Sequence, residues 1–404
     1  MRQRFLILII CLTSCISLSY AQNDSVLPDT TILNNSASSS FHRKLEFNGY
    51  VKLLETSLIL NNNSDWINDK LIHNRLNFKG YLTKHINVIA EFRNRMYTGE
   101  MMEFYPGYDS LLTKDQGFVN LSWMLFSKKN SFINILPDRA YIDYSNGKLQ
   151  LTIGRQRINW GQTFVWNPND IFNTYSFFDF DYEEKPGCDA LRLQYYRNAI
   201  STVEIAAKLN SNKQLTAAVL YKANYRKYDL QALAGMYNDS DLVAGIGWSG
   251  DLFKGGFRGE LSYFHPVKNM TDTSGRLLVS AGYDYSFKNE ASVRLEVLYN
   301  SGGRANGNIT MQQLYYEPLS AKSLSPAKFS VFGSLSYPVN PITFVSFSAN
   351  YSPGIYSLYL GPSLDVSLND NLDLSLVLQS FLNKLNTPDA ESVFLFFYRI
   401  KWSF

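Results

Sequence analysis

The sequence predicts an all-β fold: a single antiparallel transmembrane β-barrel of 18 strands, with 16 or 20 as the alternatives. Three observations predict it. Apolar and polar residues alternate with a period of two along most of the chain. Beyond the N-terminal segment, no apolar run approaches the roughly 18 residues that a spanning helix needs. Tyr, Phe and Trp together make up 15% of the residues, which suits the aromatic girdles of a barrel at its two interfaces.

Taken in order, the chain opens on Arg2 and Arg4 followed by the apolar "FLILIICL". Ser19 and Ala21 offer small residues at a cleavage site, so 1–21 reads as a cleaved export signal. The stretch "LTSC" offers acylation at Cys15 as the alternative. Residues 22–43 read as a flexible polar segment and 44–404 as the barrel. Without Arg2 and Arg4, 36 basic residues face 35 acidic ones. That balance argues against a nucleic-acid partner, which selects a basic excess. Cys188 is the one cysteine left, so the sequence calls for no internal disulfide and no Cys/His metal site. No cofactor is expected.

The strands follow. Expected spans are Lys44–Leu60, Leu71–Thr83, Ile86–Tyr97, Asp138–Tyr144, Lys148–Arg157 and Asp189–Arg197. Next come Ile200–Leu209, Gln214–Tyr221, Lys227–Met236, Asp241–Trp248, Gly256–Phe264 and Arg276–Phe287. The set closes with Ala291–Asn300, Ala327–Tyr337, Pro341–Asn350, Tyr356–Leu368, Asn371–Phe381 and Ser392–Phe404. The clearest is "NLDLSLVLQS", with Leu372, Leu374, Leu376 and Leu378 on one face and Asp373, Ser375 and Gln379 on the other. In the last strand Phe394, Phe396, Tyr398, Ile400, Trp402 and Phe404 share a face. That ending resembles the insertion signal of bacterial outer-membrane barrels, and it implies the barrel-assembly machinery, outer-membrane lipid and lipopolysaccharide as partners.

Connections test the count. Those after even strands are tight, such as Asn146-Gly147 and Asn369-Asp370. The long ones, Ile158 to Cys188, His265 to Gly275 and Ser301 to Pro326, follow odd strands, which puts every long loop outside. The count of 18 holds if Glu100 to Pro137 belongs to the third strand's outer loop, folding into the pore or over its mouth.

With apolar faces toward lipid, Arg75, Glu91, Arg93, Arg95, Arg192, Arg258, Glu260, Arg294 and Glu296 face the lumen. Two readings of these charges stand: pairs that rigidify the wall, or a field, basic in the N-terminal half, that selects anions. The aromatic loop after Arg157 offers Trp160, Trp166, Asp170 and Tyr175 as ligand contacts. The acidic run Asp179, Asp181, Glu183, Glu184 does not have EF-hand spacing. No nucleophile elbow, H-E-x-x-H, P-loop or dinucleotide signature occurs, so no catalytic residue is assigned.

In "LQLTIGRQRINWG", the residues Gly154, Arg155 and Gln156 resemble a strand feature of porin-like barrels of the alginate-export type. The resemblance implies an 18-strand barrel whose lumenal arginines attract an acidic polysaccharide, and it nominates Arg155 and Arg157 for the pore. Both share parity with Leu151 and Ile153. A regular strand would therefore aim them at lipid, unless Gly154 marks a bulge that turns them inward. The expected function is a non-enzymatic outer-membrane channel for small hydrophilic, anionic or saccharide solutes. A glycan-binding or export barrel and an outer-membrane hydrolase are the alternatives. A plugged 22-strand receptor does not fit in this length.

Overall fold

Among the described residues nineteen strands join in one antiparallel sheet. The computed structural model describes residues 44–404 except 61–65, 180, 182, 269, 272–273, 310–318 and 388–389. The expected export signal and polar segment, 1–43, lie outside the described residues.

The first half of the sheet is β1 (Lys44–Leu60), β2 (Trp66–Tyr81), β3 (Ile86–Gly99), β4 (Trp123–Lys128), β5 (Ser131–Asn146), β6 (Leu149–Gln156), β7 (Cys188–Asn198), β8 (Ser201–Leu209) and β9 (Leu215–Tyr225). The second is β10 (Tyr228–Tyr237), β11 (Asp241–Leu252), β12 (Gly255–Pro266), β13 (Arg276–Ser286), β14 (Ser292–Asn300), β15 (Phe329–Asn340), β16 (Thr343–Ser352), β17 (Ser357–Asn369), β18 (Leu372–Asn383) and β19 (Glu391–Ser403). Two short helices, α1 (Met101–Phe104) and α2 (Tyr108–Thr113), precede β4.

β19 pairs back onto β1, from Tyr50 opposite Ser403 to Leu60 opposite Val393. β3 pairs directly with β5. The wall is therefore a closed ring of 18 strands with β4 as an extra laid on β5, and closure leaves the ring itself without an unpaired edge. Leu53, Ile72, Ile142, Ile246, Leu295 and Ile400 point outward, and Ile142 is 53% exposed. An apolar exterior on a closed antiparallel ring is a membrane-spanning architecture. The tight turns fall at one end and the long connections at the other, as the alternation requires.

Two expectations need correcting at this level. The wall strand expected from Asp138 begins at Ser131, because 131–137 pair with β3 opposite Phe92–Thr98. So 100–137 is not all loop. Its first part covers the inner rim: Arg95 donates to the Leu112 carbonyl at 2.9 Å, and Tyr97 stacks on Phe132 at 4.7 Å with Tyr108 against it. Its later part joins the wall. β4 pairs with β5 at 131–135, while β6 pairs with the other end of β5 at 140–146. β4 thus prolongs the line of β6 and covers the wall where β6 leaves it. Trp123, Met124 and Leu125 are exposed there, as lipid-facing residues are.

Arg155 holds that seam. It keeps the outward parity of Ile153 and lies opposite Asp189. Its guanidinium donates to Asp189 and Asp115 at 2.7 Å and to the Val119 carbonyl at 2.7 Å. It is 4% exposed. The nomination of Arg155 for the pore is therefore corrected: segment 115–121 covers it from outside, and two carboxylates satisfy it. Gly154 makes this possible with a φ of +122°, where a Cβ would lie 2.3 Å from the Ala140 carbonyl oxygen. Gly154→Ala is expected to destabilise the β5–β6 junction by more than the ~1–3 kcal/mol of a strained backbone position. Heat-modifiable migration of the refolded barrel, with fewer folded molecules than wild type, is the readout.

Candidate permeation pathway

The connection from Arg157 to Gly187 does not stay outside. It turns at the end of β6 and folds back into the barrel, which corrects the expectation that every long loop is external. Ile158, Trp160, Val165, Trp166, Ile171 and Phe172 are buried in one cluster with inward-facing wall residues. The wall contributes Leu220, Leu233, Val243, Phe264, Leu278 and Phe332 from β9 to β15. These strands are apolar on both faces at their outer halves. Burying each large side chain contributes about 1.5–3 kcal/mol to holding the loop inside.

A buried loop carries backbone N–H groups that need acceptors. Two wall carboxylates supply them. Glu260 accepts from the backbone of Gln162, of Thr163 at 3.0 Å and of Asn169 at 2.8 Å. Glu296 accepts from Phe164 at 2.8 Å, Val165 at 3.1 Å and Trp166 at 2.7 Å. Glu204 accepts from the Trp160 indole and holds Arg192 in a fork at 2.7 and 2.8 Å. Gly245 and Gly247 face inward between these groups. A Cβ on Gly245 would meet the Asn169 amide oxygen at 2.4 Å, so glycine permits the close approach.

The loop then crosses to the opposite wall. Phe178 packs on Tyr359 and Phe381. Asp181 meets Lys52 at 2.9 Å, His73 at 3.2 Å and Arg93 at 3.9 Å. Glu183 bridges Arg399 and Lys401, both at 2.8 Å. Glu184 lies 3.7 Å from Arg75, which also binds Asp138 at 2.8 Å and pairs with Glu91. Arg139 donates to the Glu184 and Lys185 carbonyls. Burial works against ionisation of Asp181, but hydrogen bonds from His73 and the Lys52 charge override it and hold the carboxyl well below its usual range. Burial opposes ionisation of Glu183 as well, but the Lys401 and Lys52 charges together outweigh it and lower the carboxyl.

The acidic run of the sequence is thus the counter-charge of a basic wall. Arg75 and Arg93 are buried against the loop's Glu184 and Asp181, and Arg95 lies under α2. Glu260 and Glu296 are loop anchors rather than open charges. Arg258 and Arg294 remain on the water side, stacked over the Phe164 ring at 4.0 and 4.9 Å, with Arg258 also paired to Asp284. Arg294 is exposed. Arg157 stands at the loop's start against the Tyr175 ring. Trp160 and Asp170 are corrected as ligand contacts: both are sealed in the interior, and burial pushes the Asp170 carboxyl up to about 6. Trp166 and Tyr175 do reach a cavity. A second cavity of about 260 Å³ opens beside Glu183, Asp365, Ser375, Arg399 and Lys401.

Sequence reasoning missed Lys52, His73, Asp138 and Glu204. Parity carried a signal for His73, which shares the face of Arg75 and Asn77 on β2, and Lys52 stands opposite it in register.

No family model matches the sequence, and no curated protein matches it either. Solved structures do match. OccAB4 of Acinetobacter baumannii is 10% identical with a TM-score of 0.53, over 89% of this chain and 98% of that one. OpdL of Pseudomonas aeruginosa is 9% identical with a TM-score of 0.55 over the same shares. OpdK of Pseudomonas aeruginosa, solved with vanillate, is 8% identical with a TM-score of 0.56, again over 89% and 98%. This chain has the fold of those 18-strand outer-membrane barrels. The likeness supports a porin-like barrel and not the alginate-export type. The arginine that suggested that type, Arg155, is outside the lumen.

Proposed function

We propose that this chain is a channel of a Gram-negative outer membrane that passes small hydrophilic solutes and favours anions, without enzymatic activity. The observation that carries the reading is loop 157–187, anchored inside a closed barrel by Glu260 and Glu296. A loop held at mid-barrel narrows the lumen to a constriction, and charge at a constriction sets selectivity. Arg294 is exposed there, and Arg258 stands beside it over the same ring, paired with Asp284. OpdK was solved with vanillate, a small carboxylate, which supports the same class of solute.

Planar-bilayer recording of the purified protein tests this. Discrete conductance steps with an anion-shifted reversal potential in a salt gradient are expected. Arg258→Glu with Arg294→Glu should abolish or invert the shift. Absence of any steps would sink the channel reading, and an unchanged reversal potential would remove these two arginines from it.

A further inference from the structure

The cavity that Trp166 and Tyr175 reach lies at the outer end, between residues 319–326 and the turn that joins β16 to β17. Its volume is about 270 Å³, just below the usual range for small-molecule sites, roughly 300–1,000 Å³. That is room for one ring. Phe177, Phe178, Tyr359 and Phe381 line it together with Trp166, with Tyr359 and Phe381 5.0 Å apart and Phe178 within 5.3 Å of both.

The polar groups are all neutral. Ser325, Ser352 and Ser357 line the cavity with Asn350. Ser325 and Ser352 are linked through Ser330 at 2.9 and 2.8 Å. A hydroxyl in such a chain keeps capacity to donate or accept. The Asn350 side-chain oxygen is buried without a hydrogen-bond partner. A buried acceptor left unmade costs about 1–3 kcal/mol, so it favours an incoming donor. No Asp, Glu, Lys, Arg or His is among the described lining residues. The nearby cations are already engaged: Lys185 and Arg157 sit on the Tyr175 ring at 4.1 and 5.4 Å, and Arg157 also donates to the Glu184 carbonyl.

We infer that this cavity is a binding site for a single uncharged sugar ring at the outer mouth. It deepens the channel reading and rests on it for the role of an entry site. Aromatic faces take the apolar C–H face of a pyranose. The serines and Asn350 meet its hydroxyls, each both donor and acceptor. A carboxylate entering the same space would lose water without gaining a counter-charge.

The test titrates purified protein in nanodiscs with D-glucose and, separately, with benzoate, following tryptophan fluorescence. A saturable response to glucose and none to benzoate is expected. Asn350→Leu should weaken glucose at least tenfold, and Phe381→Leu should weaken it as well. Heat-modifiable migration confirms that each variant is folded. No saturable glucose response, an unchanged affinity in both folded variants, or saturation by benzoate alone would each overturn the site. Conductance of the same preparation separates the two readings. Conductance without glucose binding refutes the site and leaves the channel, whereas glucose binding without conductance upholds the site and refutes the channel.

Discussion

Replacing Glu260 and Glu296 together by alanine is expected to free loop 157–187 from the lumen and raise single-channel conductance severalfold. Six backbone N–H groups, from Gln162 to Trp166 and at Asn169, end on these two carboxylates. Hydrogen bonds to a charged acceptor contribute roughly 1.5–3 kcal/mol each, and an orphaned buried donor costs about 1–3 kcal/mol. Removing a buried carboxylate also relieves its own desolvation, so the net loss is smaller than the sum. Trp160, Trp166, Ile171 and Phe172 still favour the inserted state, by about 1.5–3 kcal/mol apiece. One substitution is therefore expected to leave the loop in place and two to tip it. Glu→Gln at both sites should fall between, because an amide keeps one acceptor oxygen but points donors at other donors. Bilayer recording reads the conductance, and limited proteolysis reads the loop. Cleavage within 157–187 should appear while the barrel still migrates as folded. Wild-type conductance in a double variant whose loop is cleavable would show that the loop is not the constriction.

The wall was legible in the sequence and the lumen was not, for one physical reason. Lipid imposes a rule on every outward residue, so Leu372 to Leu378 and Phe394 to Phe404 announce their faces with no knowledge of neighbours. The inward face obeys whatever fills it. On β9 to β15 that filling is apolar, and Leu220, Leu233 and Phe264 blur the alternation. The loop's tryptophans therefore resembled ligand contacts, although Trp160 is a core residue whose core is the inside of a barrel. Asp181, Glu183 and Glu184 are meaningless in isolation and become intelligible only opposite Lys52, Arg75 and Arg399, which the chain brings from both of its ends. Gly154 is the intermediate case. The sequence marked the position as irregular, but whether Arg155 then faced the lumen depended on segment 115–121, about 40 residues upstream, which supplies Asp115 and the Val119 carbonyl.

Removing the Asp181 carboxylate is expected to shift the channel toward anions, and the choice of replacement separates its two roles. Lys52 has no exposed surface, and Arg93 is nearly as buried. Taking the acid from such a group leaves buried positive charge uncompensated, a loss of about 3–5 kcal/mol when a partner is truncated. The Asp181 carbonyl still accepts from Lys52 at 2.6 Å, so backbone contact survives any side chain at this position. Asp181→Asn keeps the shape and an acceptor but removes a charge. It should move the reversal potential toward anions with conductance unchanged. Asp181→Ala also removes the acceptor from His73 and Arg93, so the far arm of the loop should loosen and conductance should rise as well. Adding Lys52→Met to Asp181→Asn replaces the pair by neutral groups of similar volume, an exchange that is often neutral or stabilising. It should restore the wild-type reversal potential. A reversal potential that ignores Asp181→Asn would mean that permeating ions do not sense this cluster, and would confine selectivity to Arg258 and Arg294 across the lumen.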